Sequence, residues 1–405
     1  MTGDENPWAR VNAWVLRRQR LVGPKAATSP AGLAGLVSNV GCVQAQSLPC
    51  ARAALSLRTA DPVTPEAFAR ALAPGSGLLR TWLMRGTMHL VAACDWPDYV
   101  SAFGPAWIGW HLERLVRQGI PPSQHDSLLD QYRRVFEREQ RPLTREELGA
   151  ILSREAGRTI TVSGWAGAIR LLCYRGELVF GPPAGNRVTL ALARHQLGAA
   201  GCPPPRAPEE ALVTVLTHYL RAFGPATAAD FRHWTGLRAA AVQPACRQAV
   251  DSGLITAVPF ENDRRREYFL LREDLPAFLE FSGGSPVPGD GEDRDGQGRA
   301  GKGRASGGLE EQDCVTFLLP RFENLLLAYA NKDRLVDREY SALVFKPVAE
   351  IAATVLDRGR IAGTWKAAGS GRRRRVVAEL FPAYDLPGTR ARVEAAAERL
   401  EEKEG

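Results

Sequence analysis

The sequence predicts an α+β protein in which three tandem winged-helix units precede a smaller terminal domain of strands and helix. Three observations predict it. The order helix, turn, helix, strand hairpin recurs three times along the chain. At 405 residues the chain is too long for a single ordinary core. A glycine-rich, charged stretch at 283–309 separates the third repeat from the C-terminal segment, and it carries too little apolar surface to order itself.

The third repeat is the clearest. Thr227 is placed to cap the helix AADFRHWT, and Asp230 three residues on completes a capping box. Gly236 supplies the C-cap. A second helix runs through RAAAVQPACRQAV, and Gly253 leads into the apolar strand LITAVPF. Polar ENDRRR makes the turn and EYFLL returns. The middle repeat has the same plan. Thr144 with Glu147 caps EELGAILSREA, the helix SGWAGAIRLLCYR ends at Gly176, and ELVFG and NRVTLAL form a hairpin around Pro182, Pro183, Ala184 and Gly185. In the first repeat, Ser29-Pro30 opens the helix AGLAGLVSNV and Thr64-Pro65 opens EAFARALA, with proline at the first helical position. LLRTWLMRGTMHLVA then reads as one strand. Beyond the linker, RIAGTWKAA and RRVVAELF read as strands and VEAAAERLEEKEG as an acidic helical tail. The expected divisions are 1–115, 116–202, 203–282, the linker 283–309, and 310–405.

Hydrophobic residues make up 45% and charged residues 24%, the balance of a soluble globular protein. The net charge of +7 and pI near 9.2 favour a polyanionic partner. Nearly all the basic residues are arginine, which suits bidentate phosphate contacts, although a GC-rich coding bias explains the same excess. The seven cysteines are scattered, with no C-x-x-C pair, so neither a disulfide framework nor a zinc or iron–sulfur site is expected. A reducing cytoplasm fits, and neither a signal peptide nor a membrane span is legible. The motifs of zinc deaminases, P-loop ATPases, Rossmann enzymes and α/β-hydrolases are all missing.

Two segments can carry chemistry. In GCVQAQSLPCARAALSLR, Gln44 and Gln46 lie two apart, so on extended backbone or at a helix end their amides converge on one side. In TWLMRGTMHLV, strand alternation puts Arg85, Thr87 and His89 on one face and Met84, Met88 and Leu90 on the other. The polar face suits phosphate or base edges, and equally an ordinary solvated strand. Ser47 and Arg80 adjoin these segments as further candidate DNA contacts. Arg264 and Arg265, beside Arg266, lie at the third hairpin tip, and Arg372 to Arg375 at another turn; such clusters grip phosphates or are simply solvated. Trp234 reads as core and not as a stacking platform.

VQAQSLPCARAALSLR followed by LLRTWLMRGTMHLV resembles the AlkZ/YcaQ winged-helix DNA glycosylases. ADFRHWTGL, LLPRFENLLLAYANKDRLV and GRIAGTWK agree, so the resemblance runs from about Trp14 to about Phe381. It implies three winged helices in a C-shaped arrangement around DNA and a β-rich C-terminal domain. It also implies that the family's catalytic Q-x-Q motif is Gln44 and Gln46, in the AlkZ form. The expected activity is that of a monofunctional glycosylase, with no cofactor or metal, acting as a monomer on double-stranded DNA that carries alkylated or crosslinked guanine. Self-resistance to a DNA-alkylating natural product belongs to the same implication. Repeated winged helices alone leave open a non-catalytic DNA-binding regulator.

Overall fold

In the computed structural model, the residues described are 8–160, 162, 167–185, 187–198, 201, 203–260, 263, 265–281, 316–347, 350–369 and 375–404. The expected linker at 283–309 lies outside them, as do Arg264 and Arg372 to Arg374. The chain divides into two compact units: Lys25–Leu275 with Pro320–Asn331, and Met1–Pro24 with Pro276–Leu319 and Lys332–Gly405.

In the unit built on Lys25–Leu275, the helices start where their caps require. Ser29 and Thr64 accept from Gly32 and Ala67 at the starts of the Pro30–Asn39 and Pro65–Ala71 helices. Full capping boxes, Thr144 with Glu147 and Thr227 with Asp230, open Arg145–Ala156 and Ala228–Thr235. The three longest helices of this unit have no counterpart in the sequence reading: Trp96–Arg117, His125–Glu139 and Pro208–Phe223. The first contains Gly104, Pro105 and Gly109, which read as breakers in isolation. Packing against Pro208–Phe223 and against Gly167–Tyr174 holds it.

The strands of this unit are β1 (Val43–Gln44), β2 (Leu78–Trp82), β3 (Met88–Ala92), β4 (Leu143–Thr144), β5 (Leu178–Phe180), β6 (Thr189–Leu192), β7 (Ile255–Val258) and β8 (Tyr268–Leu271). The first six form one antiparallel sheet in the order β1-β3-β2-β5-β6-β4. The pairing of Arg80 with Phe180 joins the hairpin of the first repeat to that of the second, so these two hairpins share a sheet. β7 and β8 stand as a separate pair. Two apolar clusters, one around Leu33, Leu55 and Leu90 and one around Phe136, Leu171 and Leu190, pack against the shared sheet.

Residues 78–92 form not one strand but the β2–β3 hairpin, turned at Met84–Gly86. Arg85 and Gly86 both have positive φ, at 53° and 67°, which glycine tolerates and which reverses the chain. Alternation does not carry through such a turn. Thr81 and His89 become cross-strand partners, and Arg85 leaves the face it was expected to share with Thr87 and His89.

In the other unit, β9 (Thr316–Leu319), β12 (Thr354–Asp357), β13 (Arg360–Ala368) and β14 (Arg375–Leu380) form a four-stranded antiparallel sheet in the order β14-β13-β12-β9. β10 (Phe345–Lys346) and β11 (Glu350–Ile351) pair separately. The Pro387–Glu404 helix lays Val393 and Ala396 over Leu318, Val355 and Ala362. The expected strands at RIAGTWKAA and RRVVAELF, and the helical tail, are present.

Candidate active site

β1 runs antiparallel to β3, with Gln44 opposite His89. Ala45 N–H donates to the Met88 carbonyl at 2.7 Å. The chain then bends at Gln46 and Ser47, and Ser47 Oγ accepts from Cys50 N–H at 3.4 Å to open the Leu48–Ser56 helix. The two glutamines therefore flank the point where a strand becomes a helix.

Each residue of the motif has its own restraint. Gln44 is 6% exposed. Its N–H donates to Asn324 Oδ1 at 3.0 Å, while Asn324 Nδ2 donates to the Cys42 carbonyl. Asn324 so serves β1 as a strand neighbour would, satisfying one donor and one acceptor on the edge that no strand of the described residues covers. The Gln44 Oε1 accepts from Arg85 Nη2 at 3.3 Å. Ala45 presents its carbonyl to Arg80, which donates from Nε at 3.1 Å and Nη2 at 2.9 Å. Gln46 is half-buried, and its Oε1 accepts a long 3.5 Å contact from Met88 N–H. Both amides thus lie against one short segment, Arg85 to Met88.

Arg85 is a junction. Its Nη1 donates to the carbonyl of Trp234, in the last turn of Ala228–Thr235, where the helix dipole favours a cation. Burial lowers the pKa of Arg85 to about 10, so it stays charged at neutral pH. Burial does the same to Arg80, whose guanidinium also lies 4.8 Å over the Phe180 ring. His89 is 2% exposed, and Nδ1–H donates at 3.1 Å to the carbonyl of Thr87, the residue that closes the turn before β3. Burial first, and then the Arg85 charge, push its pKa down to about 3 against the opposing pull of that carbonyl. His89 is neutral across the physiological range. No carboxylate among the described residues bonds either glutamine amide. Glu323, beside Asn324, is buried and paired with Arg58 at 2.5 Å. No cluster of three or more potential metal ligands is found among the described residues.

The fold brings together Gln44, Gln46, Ser47, Arg80, Arg85, Thr87 and His89. It does not bring Arg265, which is exposed on the β7–β8 hairpin. Arg80 and His89 stand behind the motif, with their polar atoms turned to backbone carbonyls, because the sheet covers both. Thr87 Oγ1 donates to the Met84 carbonyl and ties off the turn. Trp234 is core, packed with Tyr219 and Phe231 as expected. Sequence reasoning missed Asn324 and Glu323. The only trace of them was the PRFEN segment within the family resemblance.

The solved structure of Streptomyces sahachiroi DNA glycosylase AlkZ superposes on this chain with a TM-score of 0.72 at 26% identity, covering 96% of each. An interstrand DNA cross-link repair glycosylase of Streptomyces sahachiroi is 29% identical over 368 residues, 89% of this chain and 87% of that relative. With this fold and these likenesses, the protein is a DNA glycosylase. The family profile described as DNA glycosylase AlkZ-like matches residues 37–402, and the chain belongs to that family. The resemblance read from the sequence is borne out. No helix among the described residues is long and apolar enough to cross a membrane.

Proposed function

We propose that this glycosylase hydrolyses the N-glycosidic bond of bulky N7-alkylguanine in double-stranded DNA, interstrand crosslinks included, and leaves an abasic site. The observation that carries the reading is a pair of glutamines held against the segment Arg85 to Met88, with no carboxylate among the described residues bonded to them. An amide does not titrate near neutral pH, so it cannot serve as a general acid or base there. The substrate must supply its own leaving-group activation. Alkylation at N7 does so by placing a positive charge on the base. The enzyme then has to stabilise an oxocarbenium-like sugar and place a water, and preoriented amide dipoles do both.

Gln44 and Gln46 take different parts. Gln44 Oε1 has one lone pair directed by Arg85 and a second for the developing sugar cation. Gln46 is the more exposed amide and the more loosely held, which suits it to orient the attacking water. Ser47, Thr87, Arg85 and Arg265 contribute DNA contacts in this reading, and Arg80 and His89 position the motif. Lys25, the lysine nearest the motif in sequence, donates its ammonium to the Leu57 carbonyl, and we assign a monofunctional reaction without a Schiff-base step. The name of the cross-link repair relative supports crosslinks as substrates. Both glutamines belong to one chain, so a monomer suffices. Self-resistance to a DNA-alkylating natural product is the biological setting we assign.

The test is base release from two duplexes, one carrying a nitrogen-mustard N7-guanine lesion and one a bulky natural-product adduct. Hot alkali reads abasic sites as strand breaks. Wild type is expected to cleave, with a rate flat from about pH 5 to 9, and Gln44→Ala/Gln46→Ala to lose roughly 100-fold or more. Equal cleavage by the double variant would sink the assignment of the glutamines. Tight DNA binding without any base release would sink the N7-alkylguanine reading.

A further inference from the structure

The Trp96–Arg117 helix presents an aromatic group that the fold does not use. Trp110 is 44% exposed, the one aromatic among the large exposed hydrophobic side chains of the described residues. It is nonetheless fixed in orientation. The Arg114 guanidinium sits 5.6 Å from its ring centroid, His111 meets it at 4.7 Å and 90°, and Trp107 at 6.2 Å and 74°. An indole that is preorganised and wet is poor core and good binding surface.

Its neighbours keep that surface open. Gly109 lies within the same helix, where alanine would be the better helix former. A Cβ on Gly109 would meet nothing within 4 Å, whereas one on Gly104 of the same helix would strike the Tyr174 carbonyl at 2.8 Å. Internal packing therefore explains Gly104 and does not explain Gly109. A missing side chain next in sequence to an exposed tryptophan leaves the adjoining helix backbone open to a partner that also covers the indole. Arg114 and Arg117 supply positive charge for a polyanion, although Glu113 partners Arg117.

The platform also connects to the reaction centre. Trp107, stacked on Tyr174, has its ring edge 3.3 Å from the point where a Cβ on Gly86 would stand. Gly86 is next in the chain to Arg85, which bonds Gln44. One residue chain thus runs from the catalytic amide through the turn and Trp107 to Trp110.

We propose that Trp110 is a DNA-stacking residue that takes a nucleobase left unstacked beside the lesion, with Arg114 held next to it for the adjoining phosphate. Aromatic side chains stack any base, because every base has a π-face. Such a contact would read disrupted stacking and not sequence, a property shared by all bulky adducts. The inference rests on the assignment of the Gln44–Gln46 site, which places Trp110 near the lesion.

The experiment measures Kd by fluorescence anisotropy for two labelled duplexes of one sequence, one intact and one with a central tetrahydrofuran abasic analogue. Wild type is expected to prefer the interrupted duplex. Trp110→Ala should weaken binding to that duplex by roughly 5- to 100-fold, with the intact duplex little changed, and Trp110→Phe should retain most of the preference. Gly109→Gln places a long side chain on the open helix surface adjoining Trp110 without removing any packing. It should reduce the preference while thermal stability holds or rises, and so covers the case in which Trp110→Ala fails to fold. An unchanged ratio of the two Kd values in Trp110→Ala and Gly109→Gln would overturn the proposal. Base release is scored separately, so a wild type that releases no alkylguanine yet shows the Trp110-dependent preference would fault the substrate assignment alone.

Discussion

Asn324 sits 280 residues from Gln44 in sequence and bonds its backbone directly. Both ends of its amide are committed, and it is 7% exposed, so water does not readily replace it. Asn324→Ala leaves a buried N–H and a buried carbonyl unpaired, each costing about 1–3 kcal/mol. We expect kcat for base release to fall about tenfold or more while Kd for undamaged DNA stays the same. Asn324→Asp keeps the acceptor, loses the donor to Cys42, and should rescue little. A fall in affinity with kcat intact would show that Asn324 does not position Gln44. At this scale the sequence singled out Gln44 and Gln46 as candidates, because two amides in a recognisable context need no tertiary information. It could not expose Asn324, an ordinary asparagine until the chain folds back on β1. Nor could it show that Arg80 and His89 are covered, since burial depends on which strands lie alongside.

Among the elements, the Ala228–Thr235 helix is tied to the site by its C-terminus and not by its cap. Gly236 has φ of 75°, and a Cβ there would lie 3.1 Å from Arg85 Cγ. Gly236→Ala should cost about 1 kcal/mol through the left-handed backbone. It should also push Arg85 away from Gln44 and slow base release. Thr227→Ala removes the N-terminal cap of the same helix at a similar cost of about 1 kcal/mol, and activity per folded molecule should hold. Thermal unfolding and single-turnover release on the two variants separate the effects; equal activity in both would remove the Gly236–Arg85 contact from the mechanism. Both capping boxes were legible because a cap is a local bond between residues three apart. The β2–β3 hairpin was not, because apolar residues continue through LLRTWLMRGTMHLVA and only Arg-Gly marks the reversal. The long Trp96–Arg117 helix was hidden for the opposite reason: its glycines and proline argue against a helix that packing then imposes.

For the whole molecule, stability should depend on pH in two windows. His89 and His111 have folded pKa values lowered to about 3 and about 4, mainly by burial, and burial lowers His218 in the same direction. The unfolded chain binds these protons below about pH 6.5, where the folded chain does not. The stability they contribute is therefore complete above about pH 6.5 and is lost as pH falls toward 4. Glu147, held down to about 2 chiefly by its capping hydrogen bonds from Thr144, acts with the same sign in a lower window, from about pH 4.5 downward. Melting temperature measured from pH 7.5 to 4.5 should decline before the carboxylates titrate, and His111→Phe should flatten that upper part. A flat profile down to pH 5 would contradict the burial of these histidines.

The sequence by itself determined the capped helix starts at Ser29, Thr64, Thr144 and Thr227, the basic α+β class and the family. All of these rest on contacts a few residues apart or on a contiguous string of letters. Only the tertiary structure decided that the first two hairpins share one sheet, that Arg85 reaches Trp234 as well as Gln44, and that a distant asparagine completes the edge of β1. Those are long-range contacts, fixed when burial of apolar faces selects one register and one packing of the elements, and no local pattern carries them.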